Sequence, residues 1–376
     1  MKKKLLFIVN VDWFFISHRL PIALAAIQSG YDVYLACQIT DKQQILESYG
    51  IKVMPIPLTR TGTSLFTEIK SLASIYQCIR KVNPDILHLV TIKPVLYGGI
   101  ITRFVRIPRP RIVASISGLG YIFIASDKKT KLFKTCIVWL YKVALSGKNT
   151  AVIFQNTNDS ELFIKNKIIT TNQIRMTRGS GVDLENYVVT TCPEGIPIVI
   201  FMARLLKDKG ILEFVEAARL LKKRNQKIRM VLVGQPDSNP KSVDLATVSQ
   251  WENENTIEYW GHSTNAPETI SNSTIVVLPS YREGLPKILI EAAACGRAVI
   301  TTDVPGCRDA IIPNITGLLV PPKNAHELAA AIEKLTKDIP TCKKMGAAGR
   351  LLAEKEFSIV DVINIHLAIY SENIPS

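Results

Sequence analysis

The stretch Leu278–Glu291 (LPSYREGLPKILIE) places two glutamates around a turn and the start of a helix. Glu283 lies on the turn, where its carboxylate can accept hydrogen bonds from the hydroxyl groups of a sugar. Glu291 lies about two turns into the predicted helix, on the same face as Lys287. The remainder of that helix is apolar, so a carboxylate buried there needs a partner. The alternative is a pair of solvated glutamates beside an ordinary helix.

A second polar group follows the apolar run Ile198–Met202. The guanidinium of Arg204 can bind phosphate oxygens in a fork, and Lys209 adds a second positive charge. A helix beginning near Gly210 would direct its positive end toward the same place. Because turn amides and helix N-termini at strand ends bind anions, the two segments together predict a site for a diphosphate-linked sugar.

These segments belong to a chain in which short apolar runs alternate with amphipathic ones. The predicted strands of the first half are Leu5–Asn10, Asp32–Cys37, Val53–Ile56, Ile86–Val90, Arg111–Ile116 and Ala151–Gln155. Those of the second half are Ile198–Met202, Met230–Val233, Ile257–Trp260, Ile275–Leu278, Val299–Thr302 and Leu318–Val320. Nearly continuous apolar strands separated by helices predict two α/β domains, each with a doubly wound parallel sheet. Ligands collect at the carboxyl ends of such strands, so we expect the two domains to face one interdomain cleft.

The charge of the 376-residue chain is unevenly distributed. Residues 1–185 contain 25 lysines and arginines against 11 acidic residues, whereas residues 186–376 contain 21 of each. The whole net charge of +14 therefore lies in the first half and predicts an anionic partner such as phospholipid, a phosphorylated acceptor or nucleic acid. Seven scattered cysteines without a CxxC pair indicate reduced thiols and argue against a zinc site.

The first residues, MKKKLLFIVNVDWFF, have the basic and apolar composition of a signal peptide. Asn10 and Asp12 interrupt the apolar run, and His18 and Arg19 follow where a cleavage region would be expected. We therefore interpret the segment as a first buried strand, with secretion as the alternative. The sequence contains no run of about 20 apolar residues, so it predicts no transmembrane helix.

Several motifs of the second half resemble the retaining family 4 glycosyltransferases. The stretch EGLPKILIE resembles their E-x7-E motif. ARLLKDKG resembles the segment that carries their phosphate-binding arginine and lysine, and GSGVD resembles the segment between their two domains. DVPGCRD and GLLVPP are also similar, so the resemblance covers most of the second half. It implies the GT-B fold, with two Rossmann-like domains, and a hexosyltransferase that retains anomeric configuration.

The resemblance also implies roles for individual residues. Arg204 and Lys209 would bind the donor diphosphate and stabilise its departure, so that no metal or other cofactor is required. Glu283 would bind the donor sugar and take part in catalysis, and Glu291 would bind the ribose. Backbone amides near two further residues would contact the sugar: Gly284 and Leu285.

The first half carries the motifs F-x2-H-R-x-P, TIKP and SISGLG. They resemble the branch that extends undecaprenyl-diphosphate-linked sugars, notably bacterial N-acetylgalactosaminyltransferases. Many family 4 members have a histidine at the position of Ser117, and its absence here leaves no catalytic histidine to carry over. The candidate acceptor-side residues are His18, Arg19, Lys93, Ser117 and Gly118. Their alternatives are a helix-capping histidine, a surface lysine and ordinary turn residues, and His88 is predicted to be a core residue.

We therefore predict an acceptor-binding domain at 1–183 and a nucleotide-sugar-binding domain at 184–358, with a helix in 359–376 that packs on the first. The predicted reaction moves a hexose or N-acetylhexosamine, such as GalNAc, GlcNAc or galactose, from a UDP-sugar to an undecaprenyl-diphosphate-linked saccharide of a bacterial surface glycan.

The segment Lys128–Lys148, which mixes lysines with Trp139 and other large apolar residues, predicts peripheral contact with the cytoplasmic face of the inner membrane. A core helix with a solvated end is the alternative for that segment. For the whole chain the alternatives are a GT-B-type sugar-nucleotide epimerase and a basic module that binds membranes or nucleic acid; we expect no nucleic-acid partner.

Overall fold

The structure, a computed structural model, describes residues 2–58, 65–105, 108–119 and 128–372. The chain divides into two compact units. The first unit comprises Met1–Ser180 together with Asp361–Ser376, and the second comprises Gly181–Val360. Each unit has a parallel sheet of nearly continuous apolar strands with helices packed on it, as expected for strands that are buried on both faces.

The first unit has a parallel sheet with seven strands among the described residues, in the order β3-β2-β1-β4-β5-β6-β7. Its strands are β1 Lys4–Val11, β2 Asp32–Gln38, β3 Lys52–Pro55, β4 Ile86–Val90, β5 Arg111–Ile116, β6 Thr150–Phe154 and β7 Ile174–Met176. Leu5 of β1 pairs with Val33 on one side and Ile86 on the other. The strand order therefore reverses between β1 and β4, which is where doubly wound sheets bind ligands.

The helices of this unit connect its strands on both faces. They are α1 Asp12–His18, α2 Leu20–Gln28, α3 Gln43–Ser48, α4 Leu65–Val82, α5 Ile92–Ile101, α6 Lys128–Leu145 and α7 Thr157–Lys165. Among the described helices of the whole chain, none is long and apolar enough to cross a lipid bilayer.

The second unit has a six-stranded parallel sheet in the described part of the chain, in the order β10-β9-β8-β11-β12-β13. Its strands are β8 Ile198–Met202, β9 Arg229–Val233, β10 Glu258–Tyr259, β11 Ile275–Leu278, β12 Ala298–Thr302 and β13 Gly317–Val320. Its helices are α8 Ile211–Lys223, α9 Leu245–Asn253, α10 Ala266–Ser271, α11 Lys287–Ala294, α12 Ala325–Lys337 and α13 Ile339–Glu356. Val199 of β8 pairs with Met230 and with Ile275, so the order reverses between β8 and β11.

The last helix, α14 (Ile359–Ser371), packs in the first unit although it follows the second in the chain. His88 of β4 hydrogen-bonds through Nδ1 to the Tyr370 hydroxyl at 2.6 Å and through Nε2 to Ser115 Oγ at 2.7 Å. His366 stacks near His88, with ring centroids 5.6 Å apart. These contacts give α14 a buried polar attachment in addition to its apolar one.

A carboxylate just beyond α14 strengthens that attachment. Glu372 accepts hydrogen bonds at 2.6 Å from Arg111, the first residue of β5, and at 2.7 and 2.9 Å from Arg175 of β7. Because the Arg111 side chain is only 6% exposed, its charge depends on this partner.

The prediction of two doubly wound α/β domains is confirmed, and every predicted strand is present with ends shifted by at most two residues. The pattern missed β7, which has only three residues, and it overestimated Ile257–Trp260, of which only Glu258–Tyr259 pair. His88 is fully buried, which confirms it as a core residue.

Candidate active site

Arg204 and Lys209 follow β8 at its carboxyl end, on a loop that leads into α8. Lys207–Lys209 form one turn of 3-10 helix, and Gly210 caps α8 with a φ of 78°. A Cβ atom at Gly210 would lie 2.1 Å from the carbonyl oxygen of Pro279, so only glycine allows this approach. The loop after β8 is thereby held against the loop after β11.

Arg204 pairs with Asp237, a residue that no sequence motif indicated. Its Nη1 lies 2.6 Å from Oδ2 of Asp237, on the loop after β9, and the two side chains are 35% and 8% exposed. The Ser242 hydroxyl accepts a hydrogen bond from the Asp237 amide at 2.8 Å and so fixes the loop. The position of Asp237 just beyond a strand end was the one signal in the sequence that could have identified it.

Lys209 and Glu283 form an ion pair at the centre of this arrangement. Glu283 Oε1 accepts the hydrogen bond from Lys209 Nζ and another from the Ser280 hydroxyl at 2.7 Å. The second carboxylate oxygen, Oε2, accepts no hydrogen bond from a described residue. It is the oxygen that remains for a ligand hydroxyl.

The turn that carries Glu283 is shaped by a neighbouring loop. The amide of Glu283 donates to the carbonyl of Pro305 at 3.2 Å. A Cβ atom at Gly306 would lie 2.4 Å from the Glu283 carbonyl oxygen. Gly284 and Leu285, the other two donor-side candidates on this turn, are buried immediately before α11.

Glu291 lies in α11 and is 6% exposed. Its Oε1 accepts a hydrogen bond from the Tyr187 hydroxyl at 2.5 Å and lies 3.3 Å from Lys287 Nζ. The buried carboxylate therefore has the partners it requires, and one of them is a tyrosine that no sequence motif indicated. Burial and the Glu291 carboxylate raise the pKa of Tyr187, so its hydroxyl stays protonated and donates.

The topology of the second sheet explains why these residues meet. The loops after β8 and β11 leave the sheet at the point where the strand order reverses. Arg204, Lys209 and Glu283 occupy those two loops, and α8 begins beside them. Two cations, a helix N-terminus and a half-engaged carboxylate suit a diphosphate joined to a polyhydroxylated group.

The acceptor-side candidates lie in the first unit. His18 ends α1, and its ring stacks on Phe14 with centroids 4.2 Å apart. Arg19 is 2% exposed; its Nη1 donates to the His18 carbonyl at 2.9 Å and its Nη2 to Ser117 Oγ at 3.4 Å. Burial lowers the pKa of Arg19 to about 10. No carboxylate pairs with Arg19 among the described residues, and the acceptors of its two side-chain hydrogen bonds are both uncharged.

The other candidates of this unit are also on loops or helix starts after strands. Lys93, in the first turn of α5, lies 2.6 Å from Glu68 Oε1, and the Tyr97 hydroxyl donates to Glu68 Oε2 at 2.6 Å. Ser117 and Gly118 follow β5, and Gly118 has a φ of 115° that favours glycine. Gly120 of the same motif lies outside the described residues.

In the Lys128–Lys148 segment, the structure describes side chains from residue 134 onward. Ile137 and Tyr141 are buried on one face of α6, whereas Trp139 is 61% exposed on another. The helix therefore packs against α5 and into the hydrophobic core of its unit, and it still exposes a large aromatic side chain. The buried face agrees with the alternative of a core helix, and contact of the segment with a membrane stays a prediction.

Two family models match most of the chain. The model described as glycosyl transferases group 1 matches residues 186–352, and the model described as glycosyl transferase 4-like matches residues 4–156. The N,N'-diacetylbacillosaminyl-diphospho-undecaprenol alpha-1,3-N-acetylgalactosaminyltransferase of Campylobacter jejuni is 30% identical over 85% of this chain and 86% of its own.

A second relative and a solved structure agree with these matches. The UDP-Gal:alpha-D-GlcNAc-diphosphoundecaprenol alpha-1,3-galactosyltransferase of Escherichia coli is 23% identical over 82% of this chain and 81% of its own. The crystal structure of HepE from Anabaena in complex with UDP-glucose superposes with a TM-score of 0.76, covering 98% of this chain and all of that one at 18% identity. The chain therefore belongs to the family 4-like glycosyltransferases and has their GT-B fold.

Proposed function

We propose that the protein transfers a hexose or an N-acetylhexosamine from a UDP-sugar to a saccharide carried on undecaprenyl diphosphate, in the synthesis of a bacterial surface polysaccharide or lipid-linked glycan. The observation that carries the proposal is the pairing of Lys209 with Glu283 beside Arg204 at the strand-order reversal of the second sheet. The names of the C. jejuni and E. coli relatives both specify a diphospho-undecaprenol acceptor, and the second specifies UDP-galactose.

In the proposed reaction the bond between the anomeric carbon and the donor phosphate oxygen breaks, and the acceptor hydroxyl oxygen forms the new bond to that carbon with retention. The hydroxyl proton passes to the departing diphosphate. Arg204, Lys209 and the N-terminus of α8 stabilise the negative charge that develops on the diphosphate, so the step needs no metal ion. Glu283 holds the donor sugar through its unengaged oxygen, with Gly284 and Leu285 beside it, and Glu291 holds the ribose.

The acceptor is proposed to bind the first unit. This unit contains 25 lysines and arginines against 11 acidic residues, a balance that favours an anionic lipid diphosphate. We assign acceptor binding to the end of α1, the start of α5 and the end of β5. The residues concerned are His18, Arg19, Lys93, Ser117 and Gly118.

The same charge supports a peripheral position on the cytoplasmic face of the inner membrane, where an acceptor anchored by a polyprenyl chain would be met. Trp139, with 61% of its surface exposed on a lysine-containing helix, is suited to the interface between water and lipid. Phospholipid headgroups would supply the anionic charge that the first unit lacks.

The test is release of UDP from a panel of UDP-sugars, with and without an undecaprenyl-diphosphate-linked saccharide. We expect release that depends on the acceptor and a radiolabelled lipid product. Interconversion of UDP-sugars without acceptor would identify an epimerase instead. No turnover with any UDP- or GDP-sugar, together with vesicle binding, would leave only a basic binding module.

A further inference from the structure

The carboxylate of Glu291 is engaged on one side only. Oε1 receives both the Tyr187 hydroxyl at 2.5 Å and the Lys287 ammonium at 3.3 Å. Oε2 accepts no hydrogen bond from a described residue, and 8% of the side chain remains accessible. The two protein donors therefore fix the plane of the carboxylate and leave its second oxygen for something else.

Tyr187 is itself held in place, so its hydroxyl is a fixed donor rather than a mobile one. Arg350 of α13 donates through Nη1 to the carbonyl of Tyr187 at 2.6 Å and to the carbonyl of Ala294 at 2.8 Å. Ala294 is the last residue of α11, the helix that carries Glu291. The amide of Tyr187 also donates to the Asp183 carbonyl at 2.9 Å. One guanidinium thus joins the tyrosine backbone to the helix of its carboxylate partner.

The two donors on Oε1 are not equivalent. Lys287 is one turn away on the same helix, and its flexible stem allows many positions of the ammonium group. The Tyr187 side chain belongs to a different segment of the chain and has only two rotatable bonds. Its hydroxyl makes a short hydrogen bond to a charged acceptor. The orientation of the carboxylate therefore depends mainly on Tyr187.

We infer that Tyr187 is a positioning residue of the donor site, which orients Glu291 Oε2 to accept hydrogen bonds from a vicinal diol, the ribose hydroxyls of a nucleoside diphosphate. This rests on the proposed function, in which Glu291 binds the ribose. A carboxylate oxygen has lone pairs for two hydroxyl donors, which matches the adjacent 2′ and 3′ hydroxyls of a ribose. Phenylalanine would fill the same space as Tyr187 and would remove only the orienting hydrogen bond.

The test compares binding of UDP with binding of 2′,3′-dideoxy-UDP by calorimetry, for the unmodified protein and for Tyr187→Phe. The substitution is expected to weaken UDP binding about three- to tenfold, the effect of one lost hydrogen bond. It should change the affinity for the dideoxy nucleotide by less than about twofold, because that ligand has no hydroxyls for Glu291 to bind.

Tyr281→Phe is the matched control. Tyr281 donates to Glu213 at 2.6 Å in the same unit, so the variant loses a similar tyrosine–glutamate hydrogen bond without touching Glu291. Any effect of this control on binding should be the same for both nucleotides. Thermal unfolding of each variant verifies that the fold is retained, and Tyr187→Trp provides a second variant that lacks the hydroxyl.

The outcomes separate this inference from the proposal on which it rests. If the unmodified protein does not bind UDP, the proposed donor class is refuted and the inference with it. If UDP binds but Tyr187→Phe weakens both nucleotides equally, or neither, the positioning role alone is overturned. A loss confined to the nucleotide with ribose hydroxyls supports it.

Discussion

Replacement of Arg204 by alanine is expected to lower turnover about 100-fold at saturating donor, which corresponds to about 2.7 kcal/mol of transition-state stabilisation. Two unit charges about 4 Å apart interact by about 4 kcal/mol at an effective dielectric constant near 20. Arg204 is 35% exposed, so water reduces this interaction and can partly replace the guanidinium. The remaining loss is typical of removing one donor from a site where negative charge develops.

A second consequence follows from the partner of Arg204. Asp237 is 8% exposed and would lose its ion pair with Arg204 in the variant, which adds negative charge beside the proposed diphosphate site. Addition of Asp237→Asn should therefore recover about three- to tenfold of the lost turnover, although it restores no positive charge. A simple loss of packing around Arg204 would give no such recovery.

The assay is enzyme-coupled detection of released UDP, with donor and acceptor concentrations varied separately. Arg219→Ala is the control. Arg219 lies near the end of α8, is 37% exposed and pairs with Glu254 at 2.9 Å, whereas Arg204 precedes the start of that helix. This variant should retain turnover within about twofold. If Arg204→Ala were folded and kept turnover within about threefold, with only its KM raised, Arg204 would bind the ground state alone and the assignment to the departing diphosphate would be refuted.

Three further results are expected. Burial lowers the pKa of His366 to about 3 and that of His88 well below 6.5, so the unfolded chain binds more protons. The free energy of unfolding should then fall as the pH drops below 6.5, by up to about 1.4 kcal/mol per pH unit for each histidine, and His366→Gln should reduce that slope in urea titrations. Glu372→Gln should lower the free energy of unfolding by about 1–3 kcal/mol, measured with urea at pH 7, because two arginines lose their carboxylate; an unchanged midpoint would contradict this. Glu283→Gln should lower kcat/KM for the UDP-sugar about 10- to 100-fold while UDP affinity changes less than about threefold, and equal losses in both would place Glu283 at the diphosphate instead.

The arrangement of strands was predictable because each strand is buried on both faces and reads as an uninterrupted apolar run. The same logic predicts that Arg204, Lys209 and Glu283 follow the ends of strands. Their convergence required the topology, since β8 and β11 are adjacent in space but separated by more than 70 residues in the chain. The sequence motifs supplied the residues, and the reversal of strand order brings them together.

The hydrogen-bond and ion-pair partners of the candidate site residues could not be predicted from the sequence. Tyr187 contacts Glu291 across a separation of 104 positions, and Asp237 lies in a polar loop that resembles many others. Pairing of this kind depends on loop conformation, which apolar periodicity does not record. The short strand β7 was missed for a related reason, because three residues cannot establish an alternating pattern.

The position of α14 has a consequence for how the chain is made. Residues up to Ser180 of the first unit leave the ribosome 180 positions before the segment from Asp361 that completes it. During that interval His88 lacks its Tyr370 partner, and Arg111 lacks Glu372. The second unit, whose residues are contiguous, can finish folding first. Synthesis therefore completes the amino-terminal unit last, and a nascent chain released early would expose an unfinished face to chaperones and proteases.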